Sequence, residues 1–216
     1  IVGASVHLLR VARLRRRKQR DAKPFALLVA DLEAATALVE LDAEEREAFL
    51  SSARPIVLAL RRSLPAGQLA ESVAPRMSRL GVMAPPSLLH LALARACGGP
   101  IVLTSGNRSD EPMAIDAPTA RALLADVADA FLHHDREIVL RVDDSVVRVV
   151  RGRPVFLRRA RGYAPEPIRL ARPVVAPLLA LGGDLKSVFA VAVGDDALVS
   201  HHLGDLRHRG GAGKPQ

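Results

Sequence analysis

The sequence predicts an α/β fold: a twisted mixed sheet flanked by helices, followed by a smaller β-rich unit. Three observations carry this expectation. Short apolar runs alternate with amphipathic helical stretches over the first part of the chain. A connector containing Pro165, Pro167 and Pro173 then separates that part from glycine-marked β pairs. Apolar residues make up 49% of the chain, charged residues 25% and aromatics only 3%, so a soluble globular core must be built from Leu, Val and Ala. At 216 residues there is room for one domain and part of a second.

Val6, Leu8, Leu9, Val11, Ala12 and Leu14 recur at helical spacing, with arginines filling the other face. Asp21-Ala22-Lys23-Pro24 stops that helix, because a residue before proline avoids helical dihedrals. Phe25-Ala26-Leu27-Leu28-Val29 reads as a strand. Helices are expected over residues 32–38 and 43–51, the second opened by an Asp42/Glu45 capping box. Arg54-Pro55 leads into a buried strand at 56–60. Residues 64–86, rich in Pro, Ser and Gly, read as loop broken by a short strand at 80–83. A helix over 88–96 precedes Gly98-Gly99-Pro100 and the strand Ile101-Val102-Leu103. Another helix is expected over 117–125, with Asp116 as its N-cap.

Short strands are expected at 127–132, 138–140, 146–150 and 155–157, the last two joined by a turn at Arg151-Gly152-Arg153-Pro154. Beyond the connector come 178–181, Gly182-Gly183, 187–193, Gly194-Asp195-Asp196 and 197–200, a glycine-rich turn followed by a hairpin. The expected domains are residues 1–170 and 171–206, then a tail at 207–216. That tail abandons apolar patterning and is expected to be disordered, as from a frameshift or truncation. The chain opens on Ile1 and reads as part of something longer.

A net charge of +8 and a pI near 10.8 point to an anionic partner: nucleotide, RNA or phosphate. Much of the charge sits on Arg10, Arg13, Arg15, Arg16, Arg17, Lys18 and Arg20, a pattern that can equally be a solvated helix face. The single cysteine, Cys97, excludes a disulfide framework or a four-cysteine zinc site within this chain and is expected to pack as a small hydrophobe. No apolar run approaches the roughly 20 residues that cross a bilayer, and no signal peptide is recognisable. A cytoplasmic location without membrane attachment is expected.

Two segments carry candidate chemistry. Thr104-Ser105-Gly106-Asn107-Arg108-Ser109-Asp110-Glu111-Pro112 brings hydroxyls, an amide and a glycine to a strand end, where α/β proteins commonly place binding groups. Ser and Asn also favour such turns for local reasons. Lys18-Gln19-Arg20 sits where the basic helix runs out, with Lys23 just beyond. There a point charge and a planar fork can converge on phosphate or carboxylate oxygens. Asp143-Asp144 reads as a solvated turn, and His90 as a structural residue. His133-His134 and His201-His202 would point to opposite sides of a strand, which suits no metal.

Taken together, Lys18-Gln19-Arg20, Lys23-Pro24-Phe25-Ala26 and Ser105-Gly106-Asn107 resemble the K-x-R … S-x-N signature of the YrdC-like fold. Leu80-Gly81-Val82-Met83, the 104–112 loop, Asp143-Asp144-Ser145-Val146-Val147-Arg148 and the run from Arg158 through Tyr163 to Pro167 resemble one branch of it. That branch is the YrdC-like domain of HypF-type carbamoyltransferases of [NiFe]-hydrogenase maturation. Leu181-Gly182-Gly183-Asp184-Leu185-Lys186 and Ser200-His201-His202-Leu203-Gly204-Asp205-Leu206 resemble the start of that family's next domain, which has an actin-like ATPase architecture.

The resemblance implies formation of carbamoyl-adenylate from ATP and carbamate, the carbamate coming from carbamoyl phosphate. It also implies transfer of the carbamoyl group to the C-terminal cysteine of a HypE-like partner. Lys18 and Arg20 would then be the catalytic cations, with Lys23 adding a third charge. Ser105 and Asn107 would bond phosphate or carbamoyl oxygen, while Ser145, Arg148 and Arg159 would line the same concave face. ATP would bring Mg²⁺, held largely by phosphate oxygens and water. The family's acylphosphatase domain, zinc-binding cysteine pairs and most of its transferase domain are not found in this sequence, so completed carbamoyl transfer is not expected of it. The same signature leaves open a threonylcarbamoyl-AMP synthase of tRNA modification, against which Asp110-Glu111-Pro112 and the second unit weigh. A double-stranded RNA-binding module without catalysis also remains open.

Overall fold

The protein is described here by a computed structural model covering residues 2–5, 7–21, 23–108, 111–183 and 187–201. Ser109-Asp110 of the strand-end loop, Asp184-Leu185-Lys186, residues 202–206 and the 207–216 tail lie outside the described residues. The chain forms two units: Ile1–Arg141 with Val146–Leu157, and Val142–Ser145 with Arg158–Gln216.

In the first unit the strands are β1 (Val2–Ser5), β2 (Ala26–Leu28), β3 (Val39–Glu40), β4 (Ile56–Arg61), β5 (Arg79–Met83), β6 (Ile101–Thr104), β7 (Val146–Val150) and β8 (Arg153–Arg158). They form one mixed sheet in the order β1-β6-β2-β5-β4-β7-β8, with β3 also paired to β4. β2 runs parallel to β5 and antiparallel to β6, so Leu27 stands level with Val82 on one side and Val102 on the other. Alternation along these strands divides the core. Leu27, Val82, Val102 and Val57 join a large cluster, whereas Leu28, Met83, Ile101 and Leu103 join a smaller one. Each such fully buried Leu or Val contributes about 2 kcal/mol of burial free energy.

The helices are α1 (Leu8–Lys18), α2 (Leu32–Thr36), α3 (Ala43–Leu50), α4 (Leu88–Cys97) and α5 (Ala117–Leu124). Val11 and Leu14 of α1 enter the large cluster together with Phe49 of α3 and Leu124 of α5. Ala94 of α4 enters the smaller one. The expected caps form. Asp42 Oδ1 accepts from Glu45 N–H at 2.7 Å while Asp42 N–H donates to Glu45 Oε2 at 3.1 Å. Asp116 Oδ1 accepts from Thr119 N–H at 2.7 Å. β7 and β8 meet at Arg151 and Gly152, both with positive φ (53° and 71°), as a two-residue hairpin loop requires.

Two expectations fail in this unit. Residues 127–132 and 138–140 are not strands, because neither run finds a strand to pair with, and Phe131, Leu132, Ile138, Val139 and Leu140 remain exposed. Polar contacts hold this segment instead. Arg141 Nε donates to Met113 O at 2.6 Å, and His133 stacks on Phe131 at 5.9 Å, off any strand. Cys97 is exposed rather than packed, since it lies at the end of α4, where only Ala94 is fully buried. His90 keeps a local structural role, its Nδ1 lying 2.6 Å from the hydroxyl of the N-cap Ser87.

The second unit contains β9 (Pro167–Arg169), β10 (Leu178–Leu181), β11 (Phe189–Val193) and β12 (Asp196–Val199), an antiparallel sheet in the order β10-β11-β12-β9. β9 pairs with β12 although it precedes residue 170, so the second unit begins earlier than the sequence suggested. Asp143 and Asp144 make no solvated turn. Asp144 Oδ1 accepts from Arg161 Nε at 2.9 Å, and Asp143 lies 3.7 Å from Arg158. No helix of the described residues is long and apolar enough to cross a membrane.

Candidate functional site

α1 ends one residue before Gln19, which takes the left-handed conformation (φ 51°, ψ 46°). Gln19 N–H donates to Arg16 O at 3.1 Å and Arg20 N–H to Arg15 O at 3.0 Å, a Schellman-type end built without glycine. Lys18 therefore keeps its helical orientation while Arg20 leaves the helix axis. The Arg20 charge still acts on the Lys18 ammonium.

Lys18 is only 1% exposed. Its ammonium donates to Thr104 Oγ1 at 3.2 Å and to Ser105 O at 2.6 Å, at the end of β6. Burial, and secondarily the charge of Arg20, pushes its pKa down to about 8. The Ser105 hydroxyl donates to Asn107 Oδ1 at 2.6 Å, and Asn107 Nδ2 donates to Glu111 O at 2.6 Å. That leaves the amide a second N–H to offer. Ala114 N–H closes the loop onto Gly106 O at 3.0 Å. Lys18, Thr104, Ser105 and Asn107 thus form one cluster.

Arg20 belongs to the adjoining turn. Its guanidinium donates to Lys23 O at 3.1 Å and Pro24 O at 2.7 Å, and lies 4.9 Å from the Phe25 ring centre. Arg15 stands over the same ring at 4.7 Å and donates to the carbonyls of Arg20, Asp21 and Lys23 at 2.9–3.2 Å. The Lys23 side chain is exposed beside this turn.

The other expected residues make contacts of their own. Arg148 is exposed on β7, four strand positions from β6 in the sheet. It acts on Glu45, whose carboxyl is pushed up first by burial and pulled back in part by the charges of Arg79 and Arg148. Ser145 and Arg159 belong to the second unit. Buried Ser145 accepts from Ala160 N–H at 2.8 Å and donates to Arg161 O at 2.9 Å. Arg159 donates to the carbonyls of Tyr163 (2.7 Å) and Glu166 (2.6 Å).

Thr104 joins the cluster although its residue type and spacing alone did not single it out; its hydroxyl at the strand end was the available signal. Much of the basic helix is also occupied within the fold. Arg13 and Arg17 both reach Asp129, at 2.8 and 2.7 Å. Among the described residues, no group of three or more His, Cys, Asp or Glu is placed to hold a metal.

The first unit thus presents a mixed α/β sheet whose buried lysine donates into a hydroxyl- and amide-bearing loop at a strand end. The Sua5/YciO/YrdC family model, described as "Telomere recombination", matches residues 7–160, and the chain belongs to that family. A second model, the HypF Kae1-like domain, matches residues 174–212. Carbamoyltransferase HypF of Synechocystis sp. is 45% identical over 91% of this chain, and HypF2 of Cupriavidus necator is 44% identical over 91%. The chain spans about a quarter of the length of these relatives (25% and 26%).

Among solved structures, full-length HypF in a phosphate- and nucleotide-bound form superposes with a TM-score of 0.83 at 44% identity, over 91% of this chain and 31% of that one. HypF of T. kodakarensis gives 0.85 at 35% identity, over 94% and 27%. P. abyssi Sua5, at 20% identity and a TM-score of 0.64 over 76% of this chain and 47% of that one, shares the fold.

Proposed function

We propose that the first unit binds ATP and carbamate and joins them as carbamoyl-adenylate, as part of a HypF-type carbamoyltransferase. The observation that carries this reading is the buried Lys18 ammonium at the end of β6, beside Thr104, Ser105 and Asn107. In the proposed step a carbamate oxygen attacks the α-phosphorus of ATP, and the bond to pyrophosphate breaks. Two anions must approach each other. Unit charges 4 Å apart repel by about 4 kcal/mol at an effective dielectric constant near 20, an amount that one fixed cation at similar range offsets.

Lys18 supplies that cation, and Ser105 and Asn107 orient phosphate or carbamoyl oxygens from the loop. Arg20 and Lys23 supply charge from the adjoining turn. Mg²⁺ would enter with the triphosphate, held by its oxygens and water, and would neutralise part of its charge. Supply of carbamate from carbamoyl phosphate, and delivery to the C-terminal cysteine of a HypE-like partner, belong to the same reading at the level of the longer relatives.

Two measurements test it. Titration calorimetry with ATP and AMP should show binding by the chain, and Lys18→Ala should weaken it at least tenfold. Absence of binding, or binding unchanged in Lys18→Ala, would overturn the reading. Incubation with ATP and ammonium carbamate should release pyrophosphate, whereas bicarbonate with threonine should not. The reverse pattern would identify a threonylcarbamoyl-AMP synthase instead.

A further inference from the structure

Each wall of the Lys18 site carries an arginine next to its functional residue. Arg17 precedes Lys18 on α1, and Arg108 follows Asn107 in the loop. Both reach the same short segment, which runs from the end of α5 to Asp129. Arg17 Nη1 donates to Val127 O at 3.0 Å and to Asp129 Oδ1 at 2.7 Å, and Arg13 Nη2 adds a bond to Asp129 Oδ2 at 2.8 Å. Arg108 Nε donates to Leu123 O at 3.2 Å, and its Nη2 to Asp126 Oδ2 at 2.8 Å. The segment has a fixed base: Leu124 and Val127 are buried in the large core cluster, and Val127 N–H and Ala128 N–H both return to Leu124 O, at 3.0 and 2.8 Å.

We propose that this segment is a strut setting the spacing between the Lys18 helix end and the Ser105–Asn107 loop, with Asp126 and Asp129 as positioning residues for the anion site. The inference rests on the reading of that site as nucleotide-binding. Exposed ion pairs taken singly contribute little to stability. Here the Arg17–Asp129 and Arg108–Asp126 pairs are each reinforced by an arginine bond to a backbone carbonyl, and each arginine is the chain neighbour of a residue of the proposed site. A displacement of about 1 Å at such a site is enough to weaken binding and catalysis strongly.

The sign of the expected effect separates positioning from simple electrostatics. Asp126 and Asp129 are anions, so replacing either with asparagine raises the local positive potential and by charge alone would tighten nucleotide binding. A strut predicts the opposite. AMP and ATP titrations of Asp126→Asn, Asp129→Asn and the double variant should each show binding weakened about three- to tenfold. The double variant should be no worse than the weaker single one, because cutting either end frees the spacing. Asp129→Glu, which keeps the charge, should recover most of the affinity.

Thermal midpoints measured in parallel identify folded variants. For a variant that fails to fold, Asp129→Glu and the remaining single substitution carry the test. If Lys18→Ala abolishes binding while the folded asparagine variants bind as tightly as wild type or more tightly, the strut is overturned and the site reading stands. Losses that multiply in the double variant overturn the shared strut as well. If the wild-type chain binds no nucleotide, the reading of the site itself fails.

Discussion

Lys18 places an ammonium among the largest fully buried side chains, where a carbonyl and a hydroxyl accept from it. Desolvation, with Arg20 nearby, lowers its pKa from 10.5 to about 8. A lysine with a lowered folded-state pKa costs stability below that value, and the cost is relieved as pH rises toward the unfolded value. The stability of wild type relative to Lys18→Met is therefore expected to rise between about pH 8 and 10.5, by up to about 3 kcal/mol. Urea unfolding of both proteins across that range checks it, and a flat difference would contradict the burial argument. A bound anion restores the charge, so nucleotide binding above pH 8 should take up a proton. Calorimetry at pH 8.5 in buffers of differing ionisation enthalpy should give heats that vary with the buffer. At this scale the sequence was informative in residue type and spacing: Lys18, Ser105 and Asn107 do come together. It could not show that Lys18 is buried, because that depends on which elements become adjacent.

Elements were legible where a local rule sufficed. The Asp42/Glu45 box needs only a three-residue spacing, and both of its bonds form. Asp42→Ala should destabilise the first unit by about 1 kcal/mol, measured by chemical denaturation, with α3 fraying first in hydrogen exchange. In the second unit, an added Cβ at Gly182 would lie 2.8 Å from Val188 O, the atom that accepts the Gly182 N–H. The glycine there answers to close backbone approach between the ends of β10 and β11. Gly182→Ala is expected to cost about 1–3 kcal/mol of local stability. Faster amide exchange in β10 and β11 alone would show it, and an unchanged exchange profile would contradict it. Local rules misled at 127–140, where apolar runs resemble strands but strand formation requires a neighbour. They also passed over β3, whose two residues pair with β4 and have no period of their own to read.

At the scale of the whole molecule, the order of strands and helices in the first unit was readable because each buried strand is short, apolar and bounded by turn residues. The pairing order was not, since β2 lies between β5 and β6, strands far from it in sequence. The second unit presents the converse difficulty. Its hairpin strands were legible from apolar runs and glycine turns, yet Leu178, Leu179, Leu181, Phe189, Val193 and Leu198 are all exposed, and of its strand residues only Ala192 and Ala197 are buried. Burial of apolar surface is what holds a sheet together after conformational entropy has been offset, so the two units should differ widely in opening free energy. Native-state hydrogen exchange on the full chain should find the amides of β2 and β5 protected several orders of magnitude more strongly than those of β10 and β12. Equal protection would mean that the second sheet draws its stability from something other than the packing of its own strands.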